Sequence, residues 1–265
     1  MNSNYKTLLV TDEAPVRTIT LNRPERRNAM TKEMQAELIS AMEDAVANEC
    51  RVLIFTGAGE AFCSGLDLSE LQAMRDKNAA DYRIDAERVA RLFVTLSELP
   101  IPTIAAVHGP AFAGGTGLAT ICDFTLATPS AKFGFTEARI GFVPALVSAF
   151  LALQVGEKQC RDLLLTARIF GAEEAHRLGL VNEVVGHGDL MTRVQALAES
   201  LIANSPESQR ATKRLLATQN RAWLDAAIVA ALEANAESRE TADFREGVAA
   251  FLEKRKPVWK KKSAN

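Results

Sequence analysis

Cysteine is scarce in this chain: Cys50, Cys63, Cys122 and Cys160 are the four in 265 residues, and no two are closely spaced. That excludes the disulfide framework of a small secreted scaffold. An excess of one charge is missing as well. Thirty-one Lys and Arg face 33 Asp and Glu, a formal net charge of −2, so no global basic field points to nucleic acid or a membrane. Aromatic residues make up 6%, too few for the stacking platform of an RNA-binding surface. The longest nearly apolar run, Ala145 to Leu153, has nine residues and contains Ser148, too short to span a bilayer. The opening stretch MNSNYKTLLVTDEAP lacks the charged-then-apolar order of a signal peptide. A soluble, cytoplasmic protein is expected.

Several chemical signatures are also missing. There is no G-x-x-x-x-G-K-[ST] phosphate loop, and Gly115-x-Gly117-x-x-Thr120 lacks the third glycine of a dinucleotide fingerprint. His108, His176 and His187 show no metal-ligand spacing, so no metal is expected. A Ser/His/Asp triad of Ser64 or Ser148 with His108 and Asp123 has no G-x-S-x-G elbow to support it.

What is present is an ordinary globular composition, 48% apolar and 24% charged. A chain of this mass can bury about 73% of its unfolded surface, enough for a core without staples. Val16–Leu21 approximates the alternation of a half-buried strand and ends before Pro24. Thr31 offers a helix cap, and Met34, Leu38, Met42 and Val46 recur every fourth residue. The continuous apolar runs 52–56 and 104–107 read as strands buried on both faces. Helices are expected over 79–99 and 114–121, and strands over 124–127, 132–135 and 181–185. Ser205-Pro206-Glu207 is a good helix opening. Strand, glycine turn and helix thus recur, which suggests an α/β chain of stacked ββα-like turns. A core over 1–200 and a helical region over 201–265 are expected, the latter packed on the core or on a neighbouring subunit. The basic end, Lys254-Arg-Lys and Lys260-Lys-Lys, reads as a solvated tail.

Two glycine-rich stretches follow the buried strands: Ala61-Phe-Cys-Ser-Gly-Leu-Asp67 and Gly109-Pro-Ala-Phe-Ala-Gly-Gly-Thr-Gly117. Glycine lets a ligand approach the main chain, and ligands of open α/β sheets sit beyond the strands' carboxyl ends. Two such loops can aim two N–H donors at one oxygen. Each alone is equally consistent with tight turning. Glu137 lies among Phe133, Phe135, Ile140 and Phe142. A carboxylate there is either paired with Arg139 or holds a raised pKa suited to proton transfer.

LNRPERRNAM (21–30), LIFTGAGEAFCSGLDL (53–68), IAAVHGPAFAGGTGLATICDF (104–124), AKFGFTEARIGFVP (131–144) and AEEAHRLGLVNEVV (172–185) together resemble the enoyl-CoA hydratase/isomerase (crotonase) family. The resemblance runs through AAFLEKRKPVWK near the end. It implies a spiral of ββα turns with a C-terminal helical trimerisation region, and a homotrimer or homohexamer. It also implies an acyl-CoA thioester as substrate, with no bound prosthetic group. Carried over by motif, the backbone N–H groups of Leu66 and Gly114 form an oxyanion hole and Glu137 moves protons. Ser64, Gly65, Leu66, Asp67 and Leu68 become an adenine-binding loop, and Arg23 and Arg26 approach the CoA phosphates. Asp123 is structural, and the segment between Leu68 and Leu99 lines the acyl pocket. One departure matters: the best-known hydratases carry a second glutamate where Gly117 stands. The same motifs are similar to a subgroup acting on branched or carboxylated enoyl-CoAs such as methylglutaconyl-CoA.

Each N–H donor of such a hole is worth roughly 3–4 kcal/mol to the enolate. Hydration of a 2-enoyl-CoA then needs a base for water at C3 and an acid for C2, which one carboxyl can serve in turn. Isomerisation of a 3-enoyl to a 2-enoyl thioester needs one carboxylate only. Thioester hydrolysis, decarboxylation, retro-Claisen cleavage and a non-catalytic acyl-CoA-binding role stay open at this point.

Overall fold

The computed structural model describes residues 5–73 and 77–259, without the side chains of Leu68 and Leu71. Its strands are β1 (Leu8–Glu13), β2 (Val16–Leu21), β3 (Val52–Gly57), β4 (Thr103–Val107), β5 (Ala111–Phe112), β6 (Phe124–Ala127), β7 (Lys132–Gly134), β8 (Ile169–Gly171) and β9 (Glu183–Val184). One sheet has the order β1-β2-β3-β4-β6-β9, and a smaller one has β5-β7-β8. The β1–β2 pair is antiparallel, and every other pairing of the large sheet is parallel. Parallel neighbours need crossovers. Those crossovers are helices here, so the chain winds as the expected spiral.

The helices are α1 (Lys32–Ala47), α2 (Leu68–Ala73), α3 (Ala79–Glu98), α4 (Gly114–Ile121), α5 (Ala145–Thr166), α6 (Ala172–Arg177), α7 (Leu190–Ile202), α8 (Pro206–Glu240) and α9 (Ala242–Leu252). The Thr31 hydroxyl caps α1 by accepting from Met34 N at 3.2 Å. Ser205 caps α8 in the same way, accepting from Ser208 N at 3.3 Å.

The apolar strand runs are explained by two layers. Leu53 and Phe55 of β3 pack with Ile19, Met34, Leu38 and Met42 on the α1 side. Val52 and Ile54 pack with Ile104, Leu126, Leu190 and Val194 on the α7 side. Alternate side chains of one strand therefore feed different cores, and no polar residue is tolerated between them.

Two elements were not expected, and one expected strand falls short of its expected range. β1 was not foreseen, because only Leu8 of its six residues is buried and no alternation marks it. The apolar run from Ala145 opens a long helix, α5, broken at Gly156 where φ is 74°. The strand expected over 181–185 narrows to Glu183–Val184, although Asn182 N and Val185 N still donate to Thr125 O and Ala127 O of β6 at 2.8 Å each. α7 covers the sheet, so helical packing on the core begins at Leu190. α8 then packs on α3 and α5. Asp123 clamps these layers: it accepts from Thr103 N at 2.8 Å, from Thr103 Oγ1 and from Lys213 of α8. The basic tail is less free than expected, since Arg255 pairs with Glu246 at 2.5 Å and Glu246 also accepts from Val258 N. Lys260 to Lys262 lie outside the described residues.

Candidate active site

Both glycine-rich stretches leave the carboxyl ends of parallel strands, and the fold presses them together. Phe112 N donates to Cys63 O at 2.9 Å, and Cys63 and Ala111 form an isolated parallel bridge. Gly65 sits at φ +91°, and a Cβ there would meet Ala113 Cβ and Phe112 O at 3.0 Å. Leu66 and Gly114 are therefore each one residue from a direct contact between the two loops. Neither Leu66 N–H nor Gly114 N–H donates a backbone hydrogen bond among the described residues. The Gly114 N–H is an orphan of the first turn of α4, where the helix dipole is positive.

The residue before it is strained. Ala113 has φ 52° and ψ −125°, a conformation costing on the order of 1–3 kcal/mol outside glycine. It is held because Ala113 N donates to Gly134 O at 2.7 Å and Thr116 Oγ1 donates to Ala111 O at 2.7 Å. On the other loop, Asn28 is fully buried and its Nδ2 donates to Ala58 O at 2.9 Å and Ala61 O at 2.8 Å. This brace was not singled out in the sequence. An asparagine inside LNRPERRNAM carried no periodic signal, and its left-handed φ of 54° appears only in the fold.

A cavity of about 720 Å³ opens beside these loops, lined by Leu66, Ala113, Gly114 and Glu137 among others. Glu137 begins a 3-10 turn, Glu137–Ile140, and is 9% exposed. Its Oε2 has no hydrogen-bond partner among the described residues. Burial pushes the carboxyl up from 4.5 to about 7, opposed by its own backbone N–H. The alternative of a pair with Arg139 is not realised: Arg139 is exposed, and no charged partner acts on Glu137. The turn is buttressed from behind by α9, where a Cβ on Gly247 would fall 2.3 Å from Ile140 O.

The position of Gly117 is equally informative. A Cβ there would lie 2.7 Å from Val147 Cγ1 and 3.1 Å from the Phe93 ring, so that wall is already filled by apolar side chains. Among the described residues, the carboxyls on the cavity are Glu25, Asp67 and Glu137. Glu25 is exposed, and Asp67 is held below its usual range against its burial, accepting from Ser69 and from Arg23 at 2.7 Å. Among the described residues, Glu137 is the buried carboxyl with no partner beyond its own backbone N–H, its Oε2 having none.

The remaining expected site residues fall in different places. Ser64 and Arg26 line the cavity, with Arg27 and Arg139. Gly65 packs against Phe112 and Ala113 of the other loop. Arg23 turns away, its Nη1 committed to Asp67 and to Ala29 O at 2.6 Å. Leu68 is the first residue of α2, and its side chain is outside the description. From the segment between Leu68 and Leu99, Val89 and Phe93 reach the cavity. The paper triad does not assemble: Ser64 Oγ faces Arg26 O, Ser148 Oγ donates to Ala145 O, and His108 Nε2 meets Gly59 O. Cys63 is no nucleophile, since burial pushes its thiol up to about 12. No cluster of metal-ligating side chains occurs among the described residues, and no helix there is long and apolar enough to cross a membrane.

Comparison with known proteins gives a consistent picture. Residues 11–262 match the family model described as enoyl-CoA hydratase/isomerase. A putative enoyl-CoA hydratase of Thermus thermophilus is 43% identical over 247 residues, which covers 93% of this chain and 98% of that protein. A crotonyl-CoA hydratase of Syntrophomonas wolfei is 33% identical, covering 95% and 97%. Among solved structures, an enoyl-CoA hydratase/isomerase from Pseudoalteromonas atlantica superposes with a TM-score of 0.85 at 32% identity, covering 96% and 100% of the two chains.

Proposed function

Because the chain belongs to the enoyl-CoA hydratase/isomerase family, with the crotonase fold, we propose that it hydrates a 2-enoyl-CoA, with Glu137 as the proton-transfer group. The observation that carries this is a buried, unpaired carboxyl on the cavity where two loops leave the Leu66 and Gly114 N–H groups free. Those donors take the thioester oxygen, and the charge that grows on it during enolate formation is what they stabilise most. Glu137 as carboxylate accepts a proton from water while the water oxygen bonds to C3. The protonated carboxyl then returns a proton to C2 as the enolate collapses. A pKa of about 7 suits one group that must serve as base and then acid near neutral pH. Arg26 and Arg27 on the cavity supply the positive charge for the CoA phosphates.

A second reading has its own support. With Phe93 and Val147 occupying the space at Gly117, no second acid stands on that wall among the described residues. Isomerisation of a 3-enoyl thioester, with Glu137 carrying a proton from C2 to C4, needs none. The decisive assay follows the conjugated-thioester absorbance. Loss of absorbance from a 2-enoyl-CoA supports hydration, and gain from a 3-enoyl-CoA supports isomerisation. Tight acyl-CoA binding without either change overturns both in favour of a non-catalytic subunit. A homotrimer or homohexamer belongs to the same proposal, supported by the exposed Leu215, Leu216, Trp223 and Val229 on α8. Light scattering of the purified chain tests it, and a monomer at working concentration refutes it.

A further inference from the structure

The opening turn of α4 is held from two sides, and on the side of Glu137 the hold is a single hydroxyl. On the first side a Cβ at Gly115 would fall 2.2 Å from Cys63 O, so the helix rests directly on the loop that carries Leu66. On the second side stands Thr116, fully buried and outside the lining of the cavity. Its Oγ1 lies 2.7 Å from Ala111 O and 3.1 Å from Gly134 O, and it accepts from Gly134 N at 3.2 Å. The one hydroxyl proton is shared between two carbonyls while a lone pair takes an amide. A helical threonine often returns its hydroxyl to a carbonyl of its own helix. Here the partners lie outside α4, Ala111 in β5 and Gly134 in β7.

Those partners bracket the residues that carry the chemistry. Ala113 N donates to the same Gly134 O at 2.7 Å, so the strained residue and the Thr116 hydroxyl share one acceptor. The φ of 52° and ψ of −125° at Ala113 set the plane of the peptide that joins it to Gly114. The carbonyl of that peptide accepts from Gly117 N at 3.1 Å. A trans peptide points its N–H opposite to its C=O, so the Gly114 N–H is directed out of the helix. Only glycine keeps such a conformation without cost, and an alanine there stays in place because its surroundings hold it. Gly134, the shared acceptor, lies three residues ahead of Glu137 in the chain.

We propose that Thr116 is a positioning residue: its hydroxyl ties the Ala113 turn to β7 and so fixes the Gly114 N–H relative to Glu137. The inference rests on the reading of Leu66 and Gly114 as an oxyanion hole, and it holds for hydration and for isomerisation alike. Without the hydroxyl, Ala111 O and Gly134 N each lose the partner it supplies. Ala113 then relaxes towards an ordinary conformation, and the peptide plane turns the Gly114 N–H away from the thioester oxygen. The loss falls mainly on the transition state, where the charge on that oxygen is greatest, and little on the binding of the thioester.

Infrared difference spectroscopy of bound butanoyl-CoA, labelled with carbon-13 at the thioester carbonyl, reads the donors without any turnover. On the unaltered chain the carbonyl band is expected below its position in water. Thr116→Val is expected to lose about half or more of that shift and still bind the thioester within about threefold. Its kcat is expected to fall about tenfold or more at nearly constant KM, as a misplaced but present group requires. Thr116→Ser keeps the hydroxyl and is expected to restore most of both the shift and the rate. If Thr116→Val fails to fold, Thr116→Ala carries the same expectations. A full band shift and rate in a folded variant without the hydroxyl overturns the positioning role and leaves the hole standing. A loss as large in Thr116→Ser overturns it too, since the hydroxyl is then not what matters. An unshifted band on the unaltered chain removes the oxyanion hole itself.

Discussion

Replacing Glu137 by Gln keeps the shape of the side chain and deletes its titration, and the consequence for stability can be worked out. In the folded protein burial raises this carboxyl from 4.5 to about 7. Below about pH 4.5 the folded and unfolded chains both hold the proton, so the group makes no difference. As the pH rises from there to 7, the unfolded chain releases its proton while the folded chain retains it. Folding stability therefore falls by ~1.4 kcal/mol per pH unit over that window and stays lower by about 3 kcal/mol above it. Glu137→Gln escapes this loss. Urea unfolding at fixed protein concentration is expected to show similar stabilities for the two proteins at pH 4.5 and a variant more stable by about 3 kcal/mol at pH 8. The comparison is a difference between two pH values, so the intrinsic effect of the amide cancels. The same variant is expected to lose turnover and still bind acyl-CoA. A stability difference independent of pH would refute the claim that the carboxyl is buried without a charged partner, and full activity would remove its catalytic role.

Other expectations follow from the same geometry. Gly114→Pro deletes one proposed oxyanion donor at a helix position where proline is tolerated, and kcat is expected to fall about 10²–10³-fold; a fully active variant discredits the hole. The pH profile of kcat/KM for hydration is expected to fall about tenfold per pH unit below 7, as Glu137 in the free enzyme is protonated; a profile flat to pH 5 assigns the base elsewhere. Gly117→Glu forces a Cβ to 2.7 Å from Val147, and overpacking of this kind costs about 1–3 kcal/mol, read as a lower urea midpoint that Val147→Ala partly restores. Gly247→Ala pushes a methyl group into the Ile140 carbonyl at 2.3 Å, displacing the turn that carries Glu137. It is expected to lower kcat more than acyl-CoA affinity, and an unchanged kcat would show that α9 does not position the carboxyl.

Elements that bury an apolar face were legible in the sequence. The cap at Thr31, the four-residue repeat from Met34, the doubly buried β3 and β4, and the opening at Ser205-Pro206 all appear where local chemistry placed them. Edge strand β1 was not, because a strand exposed along most of its length has no period to read. Glu137 and the two glycine loops were visible as candidates, but the choice between a paired and an unpaired carboxyl was not. That choice depends on Arg139 pointing to solvent, which no spacing of two residues decides. The buried face of α8 is also visible in its spacing. Ala231, Asn235, Ser238 and Arg239 fall on the one buried stripe of α8, where polar residues stand out against the usual apolar filling.

By itself the sequence determined the periodicities, the caps, the glycines where main chains approach closely, and the set of motifs that marks the family. These are local properties, set by backbone sterics and by which faces must leave water. Tertiary structure alone decided that residues 66, 114 and 137 share one cavity, that Arg23 is bound to Asp67, and that the space at Gly117 is taken by Phe93 and Val147. Burial and pairing are sums over neighbours brought from distant parts of the chain. The acidity of Glu137 and the unmet hydrogen bonds of Gln35, Asn235 and Arg239 exist only once those neighbours are in place.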